Sequence, residues 1–151
     1  MSAALVLLAL ALPAQADLDH ERIFQCGFGA RQVEVVRDGA ALTYRFGRPG
    51  RPEVEISGTA AGGNVHYHRT LYPRGEDQSL RFTRGAYSYV IFNAFQTPDY
   101  RLEGARDDSG LLVLRHGRRI ARMNCRDEAE LIEYPIFDGL PRDEENLVPP
   151  P

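Results

Sequence analysis

The sequence predicts a mainly β protein, a small antiparallel barrel or sandwich of about eight strands closed by one disulfide, with a short C-terminal helix and an acidic tail. Three observations carry that prediction. Short sets of apolar residues spaced by two recur between Phe24 and Met123, the period that puts alternate side chains on one face of a strand. Two cysteines, Cys26 and Cys125, bracket nearly all of that region. Helix start and stop signals are scarce before Asp127.

In chain order, the first segment is MSAALVLLALALPAQA. Its apolar run, residues 3–12, leads to Pro13 and then Ala14-Gln15-Ala16, the small-x-small pattern read by signal peptidase. The run falls short of the roughly 20 apolar residues that cross a bilayer. Residues 1–16 are therefore read as a signal peptide rather than a short buried helix, and the expected location is periplasmic or secreted, with no transmembrane segment. Cleavage before Asp17 leaves 135 residues, enough for one domain with a real core. A β domain over residues 17–126 and a helix and acidic Pro-rich tail over 127–151 make up that chain.

Within the β domain, Phe24, Cys26 and Phe28 alternate, and Val33 and Val35 continue the period. Asp38-Gly39 supplies a turn, and Leu42, Tyr44 and Phe46 resume. Val54 with Ile56, Val65 with Tyr67, and Leu80 with Phe82 follow in the same spacing. The run AYSYVIFNAF, residues 86–95, is apolar at both parities; it reads as the central strand, or as one covered by a loop or by the tail. His116-Gly117 divides a last hairpin, on whose closing strand Ala121, Met123 and Cys125 share a face. Residues 97–110 break the periodicity and read as a long irregular loop with Asp107 and Asp108 solvated. Asp127, Glu128 and Glu130 open a short helix running to Ile132, their carboxylates favoured by the helix dipole, and Pro135 stops it. The end, PRDEENLVPPP, has too little apolar content to pack and is predicted to be disordered.

Two cysteines this far apart in an oxidising compartment pair as a disulfide. A metal pair or a catalytic thiol is the rival, but the chain has neither C-x-x-C nor a third cysteine. The crosslink joins the first strand to the last and removes chain entropy worth about 4–5 kcal/mol.

Charge is unevenly spread. All 18 basic residues are arginine, which excludes a P-loop lysine and Schiff-base chemistry. From Arg22 to Arg126, 17 arginines face 10 acids, whereas 8 acids face one arginine from Asp127 onward. A basic body thus precedes an acidic tail. Arg45, Arg81, Arg118 and Arg122 fall outside the apolar alternation and are expected to face solvent, with forks that suit carboxylates or phosphates. Either the tail folds back on this face, or the face meets an anionic envelope component or an acidic partner protein. Nucleic acid is not an expected partner.

The stretch TYRFGRPGRPEVEI carries the most specific local signal. Pro49-Gly50 matches the centre of a type II turn, and Arg51 before Pro52 is held extended. Arg48 and Arg51 sit on a stiff loop that either connects two strands or presents both guanidinium groups to an anion; the connector is the preferred reading. His66 and His68 form an H-x-H pair, read as solvent-facing rather than as two ligands of a zinc site, which needs a third. Glu53 and Glu55 are read as balancing nearby arginines. There is no G-x-S-x-G, free thiol or glycine-rich phosphate loop, so no catalytic residue, metal or cofactor is assigned, and the expected activity is binding.

F-x-C near the mature start, YRFGRPG, G-x-Y-S-Y and a last strand ending in cysteine resemble a group of small exported bacterial β proteins that share the YRFGRPG motif. More distantly, the layout is similar to the bacterial inhibitors of c-type lysozyme, which are exported, disulfide-closed, eight-stranded barrels. That resemblance implies an inhibitor or immunity protein against a cell-wall-active enzyme, with loops at one end plugging a cleft. The contact candidates are Arg48, Arg51, Tyr87 and the 97–110 loop. The inhibitors' S-G-x-x-Y and K-G motifs are not reproduced: Ser57-Gly58 is followed by Thr59-Ala60-Ala61, and the chain has no lysine.

Overall fold

The computed structural model describes residues 20–98, 106–127, 137 and 139–149. Nine strands follow one another as β1 (His20–Gly27), β2 (Gln32–Asp38), β3 (Ala41–Arg48), β4 (Arg51–Gly58), β5 (Val65–Tyr72), β6 (Gly75–Arg84), β7 (Tyr87–Gln96), β8 (Arg106–Arg115) and β9 (Arg118–Asn124). Each pairs antiparallel with the next inside two sheets, β1-β2-β3-β4 and β5-β6-β7-β8-β9. Among the described residues no ladder joins β4 to β5 or β9 to β1, so the arrangement is an open sandwich, not a closed barrel.

The alternation read from the sequence is the alternation of faces. Phe24, Cys26, Val33, Val35, Leu42, Tyr44 and Ile56 point from the four-stranded sheet at Val65, Leu80, Phe82, Ile91 and Leu111 of the five-stranded one. Tyr44 bridges the gap, its ring centroid 5.5 Å from Phe82 and 5.3 Å from Tyr89. Burial of each large side chain stabilises the fold by about 1.5–3 kcal/mol. The Tyr44 hydroxyl has no hydrogen-bond partner among the described residues, and burial pushes its pKa far above the ordinary tyrosine value.

Cys26 and Cys125 are joined across a sequence separation of 99. The bond ties edge strand β1 to the end of edge strand β9, and Arg126 N–H donates to the Gly27 carbonyl beside it (3.0 Å). The sandwich is thereby closed covalently on one side.

β7 is the middle strand of its sheet and is buried on both faces. Its second face, with Val90, Phe92 and Ala94, packs with Leu112 and Leu114 under Val148 and Leu147. The C-terminal stretch predicted to be disordered is thus docked. It has no core of its own to build, but the outer face of β7 and β8 gives its few apolar residues a place to be buried. Along the way Phe137 stacks on Tyr67 (5.3 Å), and the chain then bridges the free edge of β5. There Tyr67 N–H donates to the Pro141 carbonyl (3.0 Å) and Asp143 N–H to the Tyr67 carbonyl (2.7 Å). That contact satisfies part of an edge otherwise open to another strand.

One further expectation is corrected. Residues 106–110 are not loop but the start of β8, in register with Phe92 to Gln96. The pairing overrides the poor strand propensity of Asp-Asp-Ser-Gly, and Asp108 is charge-balanced by Arg122 at 2.9 Å and Arg106 at 3.6 Å. Residues 99–105 of the same loop, the predicted signal peptide 1–16 and residues 128–132 of the predicted helix lie outside the described residues; no α-helix occurs among those described.

Candidate functional site

The tail accounts for the histidine pair. His68 is buried, and both ring nitrogens are engaged: Nδ1 lies 3.0 Å from the Asp143 carbonyl and Nε2 2.8 Å from Thr70 Oγ1. A carbonyl only accepts, so Nδ1 carries the proton and Nε2 accepts from the threonine hydroxyl. The expected solvent-facing pair is therefore corrected at His68, which the tail covers, while His66 is half-buried. No group of three potential metal ligands occurs among the described residues.

Of the four arginines expected to face solvent, Arg45, Arg81 and Arg122 lie at ion-pair distance from carboxylates. Arg45, central on the four-stranded sheet, is clasped by Glu55 (2.7 Å) and Glu34 (3.5 Å) from the two neighbouring strands. The Glu55 hydrogen bond raises its pKa. Arg31 pairs with Glu53 (2.9 Å), so Glu53 and Glu55 do balance arginines. Arg81 lies 2.8 Å from the buried carboxylate of Asp143, at ion-pair distance but with its Nε–H not aimed at that oxygen. Arg122 bonds Asp108 and Asn124 (2.9 Å each) and lies over the Phe92 ring. Arg45 and Arg122 are thus structural cations, and the arginines do not form a continuous unpaired basic face among the described residues.

Unneutralised charge is left at hairpin tips. Arg48 and Arg51 face each other across the β3–β4 turn and have no carboxylate partner among the described residues. Two glycines build this tip. Gly50 has φ +71°, and at Gly47 (φ +149°) an added Cβ would come within 2.6 Å of the Glu53 nitrogen, which only glycine tolerates. The YRFGRPG motif therefore encodes a bulge and a turn.

A second tip repeats the chemistry. At one end of the five-stranded sheet, Arg84, Tyr87, Arg115 and Arg118 stand side by side on β6, β7, β8 and β9. His116-Gly117 makes the turn, with φ +50° and +74°, as a two-residue hairpin of type I′ requires. The Arg115 guanidinium lies 5.8 Å from the Tyr87 ring centroid, a cation–π distance. Arg119 and Ile120 follow, Ile120 being 57% and Tyr87 38% exposed. Arg115, Arg118 and Arg119 have no carboxylate partner among the described residues, while Arg84 donates to the Glu55 carbonyl (3.1 Å). Like charges placed directly opposite across a pair of strands are destabilising, so nothing in the fold itself favours Arg115 facing Arg118.

The contact candidates Arg48, Arg51, Tyr87 and the 97–110 loop are not brought together. Tyr87 begins β7 and the loop follows its other end, so a ten-residue strand, about 33 Å at 3.3 Å per residue, separates them. Arg48 and Arg51 belong to the other sheet, at the end of β4 remote from the link to β5. Arg118 does join Tyr87. Sequence reasoning missed Arg84, Arg115, Arg119 and Ile120, although a signal was present: R-P-G-R at Arg48 is repeated as R-H-G-R at Arg115.

Comparison with protein-family models, with curated proteins and with solved structures finds no match to this chain.

Proposed function

We propose that this is an exported binding module that docks on an acidic face of a protein partner through the Arg84–Tyr87–Arg115–Arg118 end of its five-stranded sheet. The single observation that carries this reading is the row itself: uncompensated guanidinium groups around an exposed tyrosine, beside an exposed isoleucine. Tyrosine and arginine are the residue types that dominate binding energy at protein interfaces. The apolar anchors favour a protein over a simple polyanion. In this reading the chain performs no chemistry of its own and needs no cofactor. The intramolecular disulfide supports export, as does the leader-like segment of the sequence.

A second reading rests on the stiff Arg48–Arg51 tip. A rigid hairpin carrying two unpartnered arginines suits insertion into an acidic enzyme cleft, as in an inhibitor or immunity protein for a cell-wall-active enzyme such as a lysozyme. Arg115→Glu/Arg118→Glu and Arg48→Glu/Arg51→Glu variants separate the two. Each is immobilised, exposed to envelope extract and assayed for retained proteins and for inhibition of muramidase activity. Loss of a retained partner in the first variant alone supports the main reading, and loss of enzyme inhibition in the second alone supports the other. Equal retention by both variants and the native protein eliminates both. The interaction is expected to weaken as salt rises through the range where the Debye length falls to about 8 Å.

A further inference from the structure

At the opposite end of the five-stranded sheet, the β5–β6 turn, the end of β7, the start of β8 and the docked tail enclose a groove of about 410 Å³. That volume lies within the range of small-molecule sites, about 300–1,000 Å³. Tyr72 and Phe95 line it and are 46% and 44% exposed. Asp77 and Arg106 also line it, with side chains only 7% and 13% accessible and 3.5 Å apart. The tail adds Asn146 and Val148.

The polar groups are held in place but not saturated. Tyr72 donates its hydroxyl to Asp77 Oδ2 (3.0 Å), which orients both. Arg106 donates one Nη2 hydrogen bond to the Pro149 carbonyl. Its contacts with Asp77 and Asp108, 3.5 and 3.6 Å, are longer than full hydrogen bonds, and its Nε has no partner among the described residues. Charge sums to zero here, since Asp77 and Asp108 are matched by Arg106 and Arg122.

We propose that this groove binds an uncharged saccharide. Three ligand classes are separated by what the walls present. An anion would meet the carboxylate of Asp77 as well as Arg106. A purely apolar molecule would cover Asp77, Arg106 and Asn146 without replacing their water, which is costly for each polar group. A sugar ring offers an apolar C–H face to Tyr72 and Phe95 and hydroxyls, both donor and acceptor, to the carboxylate, guanidinium and amide groups. Because the tail supplies one wall, the site exists only with the tail docked.

The test is a chemical-shift titration of the full chain with a panel of neutral disaccharides containing glucosyl, galactosyl, mannosyl and N-acetylglucosaminyl units, with glucuronate and 1-hexanol as controls. Phe95→Ala is the variant, since an exposed ring can be removed without unfolding, as an unchanged Tm would verify. The expected result is a saturable shift with at least one neutral disaccharide at Tyr72, Phe95 and Asn146. Affinity should fall about tenfold in Phe95→Ala, the scale of one aromatic contact, and should be unaffected by Arg115→Glu/Arg118→Glu. The proposal is overturned if no disaccharide gives a saturable shift, if shifts map away from the groove, or if glucuronate or hexanol binds there more tightly. The groove lies at the far end of β7 from Tyr87, so this result and that of the docking reading are independent.

Discussion

Both sheets carry an arginine near the middle of their outer face, and each solves it differently. In the four-stranded sheet Arg45 is matched by Glu34 and Glu55 on the adjacent strands, and the outer face can remain in water. In the five-stranded sheet Arg81 is matched by Asp143 from the tail, and beside it Val90, Phe92 and Leu112 form an apolar face that water would not tolerate. One sheet is complete with its own residues; the other is complete only with the C-terminal segment. The difference teaches that the acidic tail acts as structure as well as charge: Val148 and Leu147 cover an apolar surface while Asp143 neutralises the arginine at its margin.

Experiments that break this comparison rank by size. Reduction of Cys26–Cys125, or Cys26→Ala/Cys125→Ala, unstaples both sheets at once. A loss of about 4–5 kcal/mol in denaturant unfolding is expected from the loop entropy alone, with no distinction between the sheets in hydrogen exchange. Asp143→Ala should separate them. It leaves Arg81 without its partner and removes a buried carboxylate, at a cost of about 2–3 kcal/mol, below the range of about 3–5 kcal/mol for fully buried pairs because Arg81 is a quarter exposed. Faster amide exchange should be confined to β5–β8, and a dye that reports exposed apolar surface should bind. Uniform exchange across both sheets would sink the division of labour.

Tyr44→Phe, between the sheets, should stabilise by about 1 kcal/mol, because it removes a buried hydroxyl without a partner. The pH sign follows from the raised pKa of Tyr44. The folded state resists ionisation more than the unfolded state does. Its advantage is whole below the ordinary tyrosine pKa of 10.0 and is lost as pH climbs above it. Thermal unfolding scanned from pH 8 to about 11 should therefore show a steeper alkaline loss in the native protein than in Tyr44→Phe. The smallest effect is expected for Arg45→Gln, about 0.5 kcal/mol in the same unfolding assay, since Arg45 and both its partners are partly exposed. A loss above 2 kcal/mol would show that the clasp, not the alternation, holds the four-stranded sheet.

Much of the architecture was legible because strand pairing is local. Within most strands apolar residues recur with period two, each strand pairs with the next inside its own sheet, and turns such as Asp38-Gly39 and Pro49-Gly50 announce themselves by residue type. The doubly apolar run of β7 pointed to a central strand or to one covered by a loop or the tail, and β7 is both. The candidate sites were less legible. R-H-G-R was visible, but which arginines keep a free charge depended on carboxylates far away in the chain. The groove joins Tyr72, Phe95, Arg106 and Asn146, four residues with no sequence pattern in common.

The sequence by itself determined the strand order and the turn chemistry, since each depends on side-chain period or on neighbours a few residues apart, and the crosslinked pair, since the chain has only two cysteines. Tertiary structure alone decided that the sandwich stays open, that the tail docks and covers His68, and that Arg81 meets a carboxylate while Arg115 and Arg118 do not among the described residues. Those outcomes turn on which distant surfaces meet and exclude water, and burial of that kind leaves no local signature in the residues that it joins.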